Sequence, residues 1–571
     1  MSTVLDATLL LRDLAEVDAL DLQLAALLVR RGTTPDDAGI AVALGTLLVS
    51  RALREGHSAI TLTDLATQAT ELHGGASHDM LGALPLHDAA WWNTSLESSS
   101  LVGNGQLVTP LVLRDGMLQL HRYFAAEQRI AERIRALLQL PAQDGVAGFS
   151  IVTGGPGTGK TTRVARQLLE LTAARPELRV ALAAPTGKAA ARLTESIRLR
   201  IAAMRTTSSD LPLFSAPPAE DSLLELEART LHRLLRYHAG SDTFRANAAN
   251  PLPYDLVIVD EASMVDVLLL DAVLQALKPG ARLMLVGDQH QLSSVEAGDV
   301  LGVLCRAAES AAPGSALSDA VTRLTYSHRF AARPAIGQLA SAILAQDAAD
   351  ALVACGDGAG NGDRGDEVRL RAPATGVAML EPVTSHLDQC LAASSASALL
   401  DALDSFRLLA PEREGRSGVN ALNAAVERWL VRHGRSVSDT WYHGRPVLVT
   451  ANDYTTRVFN GDIGVVWKSD GRTTVHFRHL DGTTRAIAPG RLPSVETAWA
   501  MTVHKAQGSE FDDVVVVLPT DESRVMSREL LYTAVTRARR SVTIVAHESA
   551  VRAAIAQGTT RTSGLESRLR P

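Results

Sequence analysis

The nine residues GGPGTGKTT (residues 154–162) decide the fold of the central part of this chain. They match the phosphate-binding pattern G-x-x-x-x-G-K-S/T. The residues in register are Gly154, Gly159, Lys160 and Thr161. An apolar run precedes the match at residues 149–153, and residues 164–171 follow it with helical spacing. A strand, a glycine loop and a helix form the context in which such a match binds phosphate, whereas a glycine turn that happens to precede a lysine lacks it.

The loop predicts a site for a nucleoside triphosphate. Its glycines allow backbone N–H groups to approach the β-phosphate, and the following helix adds the positive end of its dipole. Lys160 is expected to reach the β- and γ-phosphate oxygens, and the Thr161 hydroxyl is expected to ligate Mg²⁺. The predicted phosphate-binding set is Gly154, Gly155, Pro156, Gly157, Thr158, Gly159, Lys160, Thr161 and Thr162.

Composition limits the remaining possibilities. The chain has 571 residues, of which 46% are apolar and 21% charged, enough for roughly three or four domains. Its net charge of −7 does not indicate a general nucleic-acid binder, so any nucleic acid would bind in a local groove. The acidic N-terminus, the absence of an apolar run long enough to span a membrane, and three scattered cysteines predict a cytoplasmic protein without membrane contact.

Residues 1 to 115 show helical periodicity and carry no chemical motif, which predicts a helical N-terminal domain. A small structural domain and a module that docks a partner both remain open. Residues 101–110 and 111–118 predict two short strands that lead into the next part. On the predicted helix 121–140, Gln128 is either a reader of the adenine edge or a surface glutamine, because its amide offers a donor and an acceptor together.

Three short apolar runs after the loop alternate with helical segments, which is the pattern of a parallel α/β sheet. They are residues 179–184, Leu256–Val259 and residues 282–286. Ligands bind beyond the carboxyl ends of such strands, so the polar residues found there are the candidates for a site.

The second of these runs leads directly into Asp260 and Glu261. Asp260 is expected to hold Mg²⁺ and Glu261 to orient the attacking water, with plain helix capping as the alternative. The third run ends in GDQHQ, where Gln289 and Gln291 are equal candidates for contact with the γ-phosphate.

Two further polar clusters suit a nucleic-acid backbone better than a nucleotide. They are Thr186, Gly187 and Lys188 after the first run, and Thr230 and His232 at a helix start. A Pro- and Ser-rich stretch between them predicts a small insertion at about residues 200–228.

From about residue 321 onwards, buried-strand runs recur without a second glycine loop, at residues 406–410, 513–518 and 541–546. This predicts a motor of two lobes, in which the second lobe supplies residues to the nucleotide across a cleft. Arginine suits that role because its guanidinium fork matches phosphate oxygens, and residues 326–330 and 532–540 contain arginines. Residues 444–493 predict short strands split by Asn-Gly and Asp-Gly turns, and hence a small inserted β-barrel.

Taken together and in order, the motifs over about residues 120–560 resemble those of superfamily 1 helicases. The closest resemblance is to the RecD family, the RecD subunits of RecBCD-type enzymes (exodeoxyribonuclease V). The motifs are GGPGTGKTT, APTGKAAARLTES, TLHRLL, VDEASM, LVGDQHQLSSVEAGDVL, GRPVLVTAND, FNGDIG, WAMTVHKAQGSEFD and YTAVTRARR. Any one of them is modest evidence, whereas the ordered set is specific.

The resemblance implies roles for particular residues. It implies ATP and Mg²⁺ as cofactors, selects Gln291 over Gln289, and makes Arg329 and Arg537 the arginine fingers of the second lobe. It implies that Glu510 contacts the nucleotide. It implies that the single strand of DNA runs past Thr186, Gly187, Lys188, Thr230, His232, Thr502 and His504.

The resemblance also implies an architecture of tandem RecA-like P-loop lobes with an inserted SH3-like β-barrel. The expected bounds are 1–115 for the N-terminal domain, 116–320 for the first lobe, 321–443 with 491–571 for the second, and 444–490 for the barrel. It implies a 5′→3′ DNA helicase that binds the 5′-ended strand at duplex ends and assembles with RecB-like and RecC-like subunits, with nuclease activity on another chain. A stand-alone RecD-like helicase and a nucleotide-gated scaffold that does not translocate remain the alternatives.

Overall fold

The structure, a computed structural model, describes residues 17–30, 36–73, 84–143, 145–207, 226–356, 367–453, 455–478, 483–520, 523 and 525–570. Most of the predicted insertion at about residues 200–228 therefore lies outside the described residues. Within them, no helix is both long and apolar enough to cross a membrane.

Among its described residues, the N-terminal part packs four helices against a small sheet, so it is helical only in part. The helices are α1 (Ala19–Val29), α2 (Asp36–Arg54), α3 (Leu62–His73) and α4 (Ala89–Glu97), and the strands are β1 (Ile60–Thr61), β2 (Val102–Gly103), β3 (Leu111–Arg114) and β4 (Met117–Leu120). The stretch predicted as one strand at 111–118 is a hairpin, because Asp115 and Gly116 adopt positive φ angles of 53° and 71°. The pairing of β4 with β1 extends this unit to residue 120, beyond the predicted limit of 115.

The first lobe is built on a parallel sheet of six strands in the order β12-β5-β11-β10-β6-β7. In chain order its elements are α5 (His121–Leu138), β5 (Phe149–Gly154), α6 (Lys160–Ala174), β6 (Val180–Ala184), α7 (Gly187–Thr207), β7 (Arg229–Thr230), α8 (Leu231–Leu234), β8 (Tyr237–His238), β9 (Thr243–Phe244), β10 (Leu256–Val259), α9 (Val267–Ala276), β11 (Arg282–Gly287), α10 (Val300–Ser310), α11 (Ala316–Asp319) and β12 (Val321–Leu324). Strands β6, β10 and β11 are buried at every position, as their continuous apolar sequences predict. Because β12 pairs with β5, the lobe ends after residue 324 and not at 320.

The second lobe is a parallel sheet of five strands in the order β13-β22-β21-β14-β20. In chain order, this half of the molecule comprises α12 (His328–Ala332), α13 (Pro334–Leu344), α14 (Ala348–Ala354), β13 (Val368–Arg371), α15 (Thr384–Ala392), α16 (Ala396–Ser405), β14 (Phe406–Ala410), α17 (Val419–Arg432), β15 (Pro446–Val449), β16 (Ile463–Ser469), β17 (Arg472–Arg478), β18 (Thr484–Ile487), β19 (Val495–Thr497), β20 (Ala500–Thr502), β21 (Phe511–Val517), α18 (Arg528–Val535), β22 (Ala538–Val545) and α19 (Glu548–Ala556). Two parallel α/β lobes are thus present, as the sequence predicts.

The insertion between α17 and β20 is an antiparallel sheet in the order β18-β17-β16-β15-β19. It begins and ends near the predicted limits, although β19 carries it to residue 497. Gly461 lies between β15 and β16 at φ 94°, in agreement with the predicted Asn-Gly turn, while the Asp-Gly turn at 481–482 lies outside the described residues. No ladder among the described residues joins β18 to β19, so closure into an SH3-like barrel stays a prediction.

The last helix, α20 (Leu565–Leu569), packs against the first lobe, so its predicted assignment to the second lobe is wrong. Leu565 and Leu569 are one helical turn apart and bury their side chains in the same core as Ile130 of α5. The chain therefore passes between the two lobes a second time after α19. A run of two buried leucines is too short for its position to be assigned from sequence.

Candidate nucleotide and nucleic-acid sites

The glycine loop lies between β5 and α6, where the sequence places it. Gly157 and Gly159 adopt φ angles of 72° and 87°, which side chains other than glycine rarely tolerate. A Cβ on Gly157 would also lie 2.4 Å from the Cβ of Arg329. Lys160 Nζ donates to the carbonyl oxygens of Gly154 at 2.5 Å and Gly155 at 3.1 Å. The lysine ammonium is thus held at the inner face of the loop, where the phosphates are expected.

A cleft of about 1020 Å³ between the two lobes collects most of the predicted nucleotide residues. Its lining includes Pro156, Gly157, Thr158, Gly159, Lys160, Thr161, Thr162, Asp260, Glu261, Gln291, Arg329, Glu510 and Arg537. Gly154 and Gly155 lie at the end of β5, behind this lining. We call this space the nucleotide cleft.

Asp260 and Glu261 form a half-buried acidic pair at the carboxyl end of β10. Burial first, and then the neighbouring charge of Glu261, raise the pKa of Asp260. Glu261 has φ 51° and ψ 41°, a strained conformation for this residue type, and its side chain makes no capping hydrogen bond to the 3₁₀ turn Ala262–Met264. The capping alternative therefore fails for Glu261. Strain of this kind is typical of functional positions.

The donor set of the cleft fits Mg²⁺. The Thr161 hydroxyl and the Asp260 carboxylate both line the cleft, and such hard oxygen ligands are the ones Mg²⁺ prefers. Burial raises the pKa of Asp260, and a divalent cation bound there would oppose this effect by favouring the ionised carboxylate. We therefore identify Thr161 and Asp260 as the residues suited to hold the metal.

The two glutamines after β11 differ in position. Gln291 lines the cleft and donates from Nε2 to Asp288 Oδ2 at 3.0 Å. Gln289 does not line it, and its Nε2 lies 3.3 Å from His290 Nε2. The geometry thus favours Gln291 for a contact with the γ-phosphate.

The two predicted arginine fingers both line the cleft. Arg329 lies in α12, directly after the first-lobe strand β12, and its Nη2 donates to Glu510 Oε1 at 2.6 Å. Its Nη1 is buried and has no hydrogen-bond partner among the described residues. Arg537 of the second lobe is 3% exposed, donates to the carbonyl oxygens of Thr533 and Ser509, and has a pKa lowered by burial. Both arginines therefore belong to the lining of the cleft, as expected for residues that would bind phosphate.

The sequence reasoning missed the other partners of Glu510 and the residues that hold the lobes together. Arg192 Nη2 lies 3.8 Å from Glu510 Oε2, and Arg539 Nε donates to the same oxygen at 3.2 Å. Burial raises the pKa of Glu510, but Arg329, Arg192 and Arg537 lower it to about 2. The spacing of Lys188 and Arg192, four residues apart at the start of one helix, is the signal that could have indicated Arg192.

The residues predicted to bind DNA lie outside the lining of the nucleotide cleft, at or next to an edge of each sheet. Residues 186–188 follow β6, and Thr230 and His232 follow the edge strand β7, which pairs with β6. In the second lobe, Thr502 ends the edge strand β20 and His504 comes two residues later. The glycine loop, the acidic pair and Gln291 instead follow β5, β10 and β11, in the middle of the first-lobe sheet.

Several of these DNA candidates make defined local contacts. A Cβ on Gly187 would lie 3.1 Å from the Cβ of Phe459, which places the inserted sheet against the start of α7. Thr230 Oγ1 accepts from Arg233 N at 3.3 Å and so caps α8. The ring of His232 lies 5.3 Å from the ring of Tyr237 on the β8–β9 hairpin.

Gln128 is not brought to the nucleotide cleft. It lies on α5 and donates from Nε2 to Glu132 Oε1 at 3.0 Å, one turn along the same helix. The structure thus gives Gln128 the surface role that the sequence left open as the alternative to adenine recognition.

Models of known families match three parts of the chain. The N-terminal domain of RecBCD enzyme subunit RecD matches residues 14–118, an AAA domain matches residues 141–297, and a UvrD-like helicase C-terminal domain matches residues 497–545. A solved structure of Pif1 helicase from Bacteroides, in complex with ADP-AlF3 and ssDNA, matches with 17% identity and a TM-score of 0.36, over 72% of this chain and 91% of that chain.

Whole-length similarity is found among bacterial proteins. RecBCD enzyme subunit RecD from Mycolicibacterium smegmatis is 39% identical over 94% of this chain and 95% of its own length. The subunit of the same name from Mycobacterium tuberculosis is 40% identical over 92% of this chain and 91% of its own. The ATP-dependent RecD2 DNA helicase of Deinococcus radiodurans is 32% identical over 77% of this chain but only 55% of its own. With such identity over nearly its full length, the chain belongs to the RecD family.

Proposed function

We propose that this chain is an ATP-dependent 5′→3′ DNA helicase and translocase, the motor subunit of a RecBCD-type helicase–nuclease that acts on double-strand DNA ends in recombinational repair. The observation that carries the proposal is the nucleotide cleft, where Lys160, Asp260 and Gln291 of one lobe face Glu510 and Arg537 of the other. A site divided between two lobes changes when the lobes move, which is what a motor requires.

Each residue of the cleft has one role in this proposal. The loop N–H groups and Lys160 bind the β- and γ-phosphates, and Arg329 and Arg537 stabilise the charge that develops on the γ-phosphate. Glu261 orients the attacking water, and Gln291 contacts the γ-phosphate. Bound through Thr161 and Asp260, Mg²⁺ supplies charge neutralisation at the phosphates.

Translocation requires that the DNA residues of the two lobes move relative to each other. Thr186, Gly187, Lys188, Thr230 and His232 grip the strand on the first lobe, and Thr502 and His504 grip it on the second. When ATP draws the arginines onto the γ-phosphate, the lobes approach, and product release separates them again. Alternating grip then converts each cycle into a step.

The assembly in this proposal contains RecB-like and RecC-like subunits, the N-terminal domain contacts them, and nuclease activity lies on another chain. Similarity over 95% of the M. smegmatis subunit, against 55% of the D. radiodurans RecD2 helicase, favours a subunit over a stand-alone enzyme. Co-purification with the host proteins tests this, and a chain that purifies from its host as a free monomer would contradict it.

The central test is Lys160→Gln, assayed for ATP hydrolysis with and without single-stranded DNA. We expect DNA-stimulated turnover to fall by orders of magnitude, because electrostatic positioning is the main catalytic term. Lys278→Gln is the matched control, since Lys278 forms a surface ion pair with Asp255 in the same lobe. Near-normal turnover in Lys160→Gln would contradict the assignment. If single-stranded DNA does not stimulate ATP hydrolysis by the wild-type chain, the scaffold alternative is favoured instead.

Polarity has its own test. Duplexes with a 5′ tail or a 3′ tail are offered to the wild-type chain, and unwinding is followed by strand separation. We expect unwinding of the 5′-tailed duplex. Preference for the 3′ tail would contradict the 5′→3′ direction and leave the helicase activity intact.

A further inference from the structure

One side chain of the first lobe crosses the nucleotide cleft into the second. Arg192 of α7 donates from Nη1 to the carbonyl oxygen of Gly508, and its Nη2 lies 3.8 Å from Glu510 Oε2. A Cβ on Gly508 would lie 3.7 Å from the Cβ of Ala189, an ordinary packing distance. The first turn of α7 therefore lies directly against residues 507–510, which we call the relay loop.

The relay loop has a second anchor in the first lobe. Gln507 Nε2 donates to the carbonyl oxygen of Leu292 at 2.8 Å, one residue beyond Gln291. The loop thus bridges the start of α7, where DNA binds in the proposed function, and the segment that contacts the γ-phosphate. A displacement of either first-lobe segment acts on the same loop.

The carboxylate of Glu510 in this loop contacts arginines from three separate parts of the chain. Oε1 accepts from Arg329 at 2.6 Å, while Oε2 accepts from Arg539 at 3.2 Å and lies 3.8 Å from Arg192. One carboxylate therefore serves three guanidinium groups. A movement of the Glu510 carboxylate towards Arg192 would lengthen its contact with Arg329 and so weaken that ion pair, because the attraction between two charges falls with distance.

The start of α7 provides the mechanical connection. Lys188 and Arg192 are four residues apart and share a helix face. Both side chains are carried by the first two turns of one helix, so a displacement of its start by a phosphate bound at residues 186–188 would also move Arg192. Such a movement would change the contacts of Arg192 with Gly508 and Glu510.

We propose that Arg192 is a positioning residue that couples DNA binding at the start of α7 to ATP hydrolysis, by drawing Glu510 away from Arg329 so that Arg329 is free to bind the γ-phosphate. The inference rests on the proposed function of the two sites. It accounts for stimulation by DNA through a defined set of contacts, Arg192–Glu510–Arg329.

The test compares Arg192→Ala and Arg192→Lys with the wild-type chain. In Arg192→Ala we expect the ratio of DNA-stimulated to basal kcat to fall about ten-fold, with the KM for ATP and the Kd for single-stranded DNA within about two-fold of wild type. Arg192→Lys should recover part of the ratio, because lysine keeps the charge but not the fork. Arg198→Ala, on the same helix but outside the cleft lining, is the control.

A double-mutant cycle with Glu510→Gln identifies the route. If Arg192 acts through Glu510, Arg192→Ala has no further effect on the ratio in the Glu510→Gln background. An undiminished effect there, or full DNA stimulation in Arg192→Ala and Arg192→Lys, would overturn the coupling role while the helicase assignment stands. A wild-type chain that DNA does not stimulate would overturn the proposed function itself.

Discussion

The hydroxyl of Tyr532 in the second lobe donates to Asp288 Oδ2 in the first lobe at 3.1 Å. The same oxygen accepts from Gln291 Nε2 at 3.0 Å. Gln291, the candidate for contact with the γ-phosphate, is thus linked through Asp288 to the second lobe. Asp288 is 1% exposed and Tyr532 is 3% exposed. Leu292 N, in the same segment, donates to Thr533 Oγ1 at 2.9 Å. The segment that ends in Gln291 is therefore held by both lobes.

We expect Tyr532→Phe to lower DNA-stimulated kcat several-fold with little change in the KM for ATP, because Asp288, the partner of Gln291, loses its hydrogen bond to the second lobe. Leaving a buried acceptor with one donor fewer also costs about 1–3 kcal/mol of unfolding free energy. Steady-state ATPase assays and urea unfolding measure the two effects. Tyr442→Phe is the control, since Tyr442 is a buried tyrosine of the second lobe that bonds Glu427 away from the cleft. Equal kinetics in the two variants would contradict the prediction.

Arg329→Ala should lower DNA-stimulated kcat by about 10³-fold, the lower end of what an arginine finger contributes. Arg329→Lys should recover little, because one ammonium cannot replace the planar guanidinium fork in binding phosphate oxygens. Arg323→Ala, which removes a half-exposed partner of Glu309 just upstream, should leave turnover near wild type. A loss below ten-fold in Arg329→Ala would remove Arg329 from the catalytic set.

The ion pairs of Glu510 predict a particular dependence of stability on pH. Arginine contacts hold the pKa of Glu510 at about 2 in the folded chain, below its value of about 4.3 in an unfolded one. The ionised form therefore stabilises the fold above that unfolded value, and the contribution is lost as the pH falls towards 2. We expect the difference in Tm between wild type and Glu510→Gln to be constant from about pH 6 to 8 and to shrink below about pH 4. A difference that grows on acidification would contradict the sign.

The junction of the N-terminal domain, the first lobe and the C-terminal segment depends on Glu127, which is fully buried. Its carboxylate accepts hydrogen bonds from four side chains, those of Ser58, Gln119, Ser563 and Arg568. Residues from three parts of the chain are therefore bonded to one buried carboxylate. The guanidinium of Arg568 also lies 4.5 Å from the ring centroid of Phe124.

Arg568→Ala should therefore destabilise the protein by about 3–5 kcal/mol, because it leaves a buried carboxylate without its cation. Arg570→Ala is the matched control, two residues along the same segment: its pair with Glu566 is largely exposed, so the loss should be below about 1 kcal/mol. Thermal and urea unfolding compare the two. Equal losses would mean that the junction contributes little to folding.

Much of the nucleotide site could be predicted from local sequence. The glycine loop, the acidic pair after a buried strand and the buried runs of both lobes are signals carried within about ten residues, and backbone geometry alone places such residues at strand ends. Strand β10, for example, lies at Leu256–Val259, where the sequence predicts it. The choice of Gln291 over Gln289 required the family resemblance, and the geometry of the cleft then agreed with it.

Only the tertiary structure decided which residues meet across the lobes. The contacts Arg329–Glu510, Arg192–Gly508 and Tyr532–Asp288 join residues separated by more than 180 positions, and no local periodicity encodes such pairs. The return of α20 to the first lobe and the place of β12 in its sheet were likewise missed. The sequence by itself determined the local elements and the chemistry that each one carries. How those elements are shared between the lobes depended on packing, because burial is a property of the whole fold.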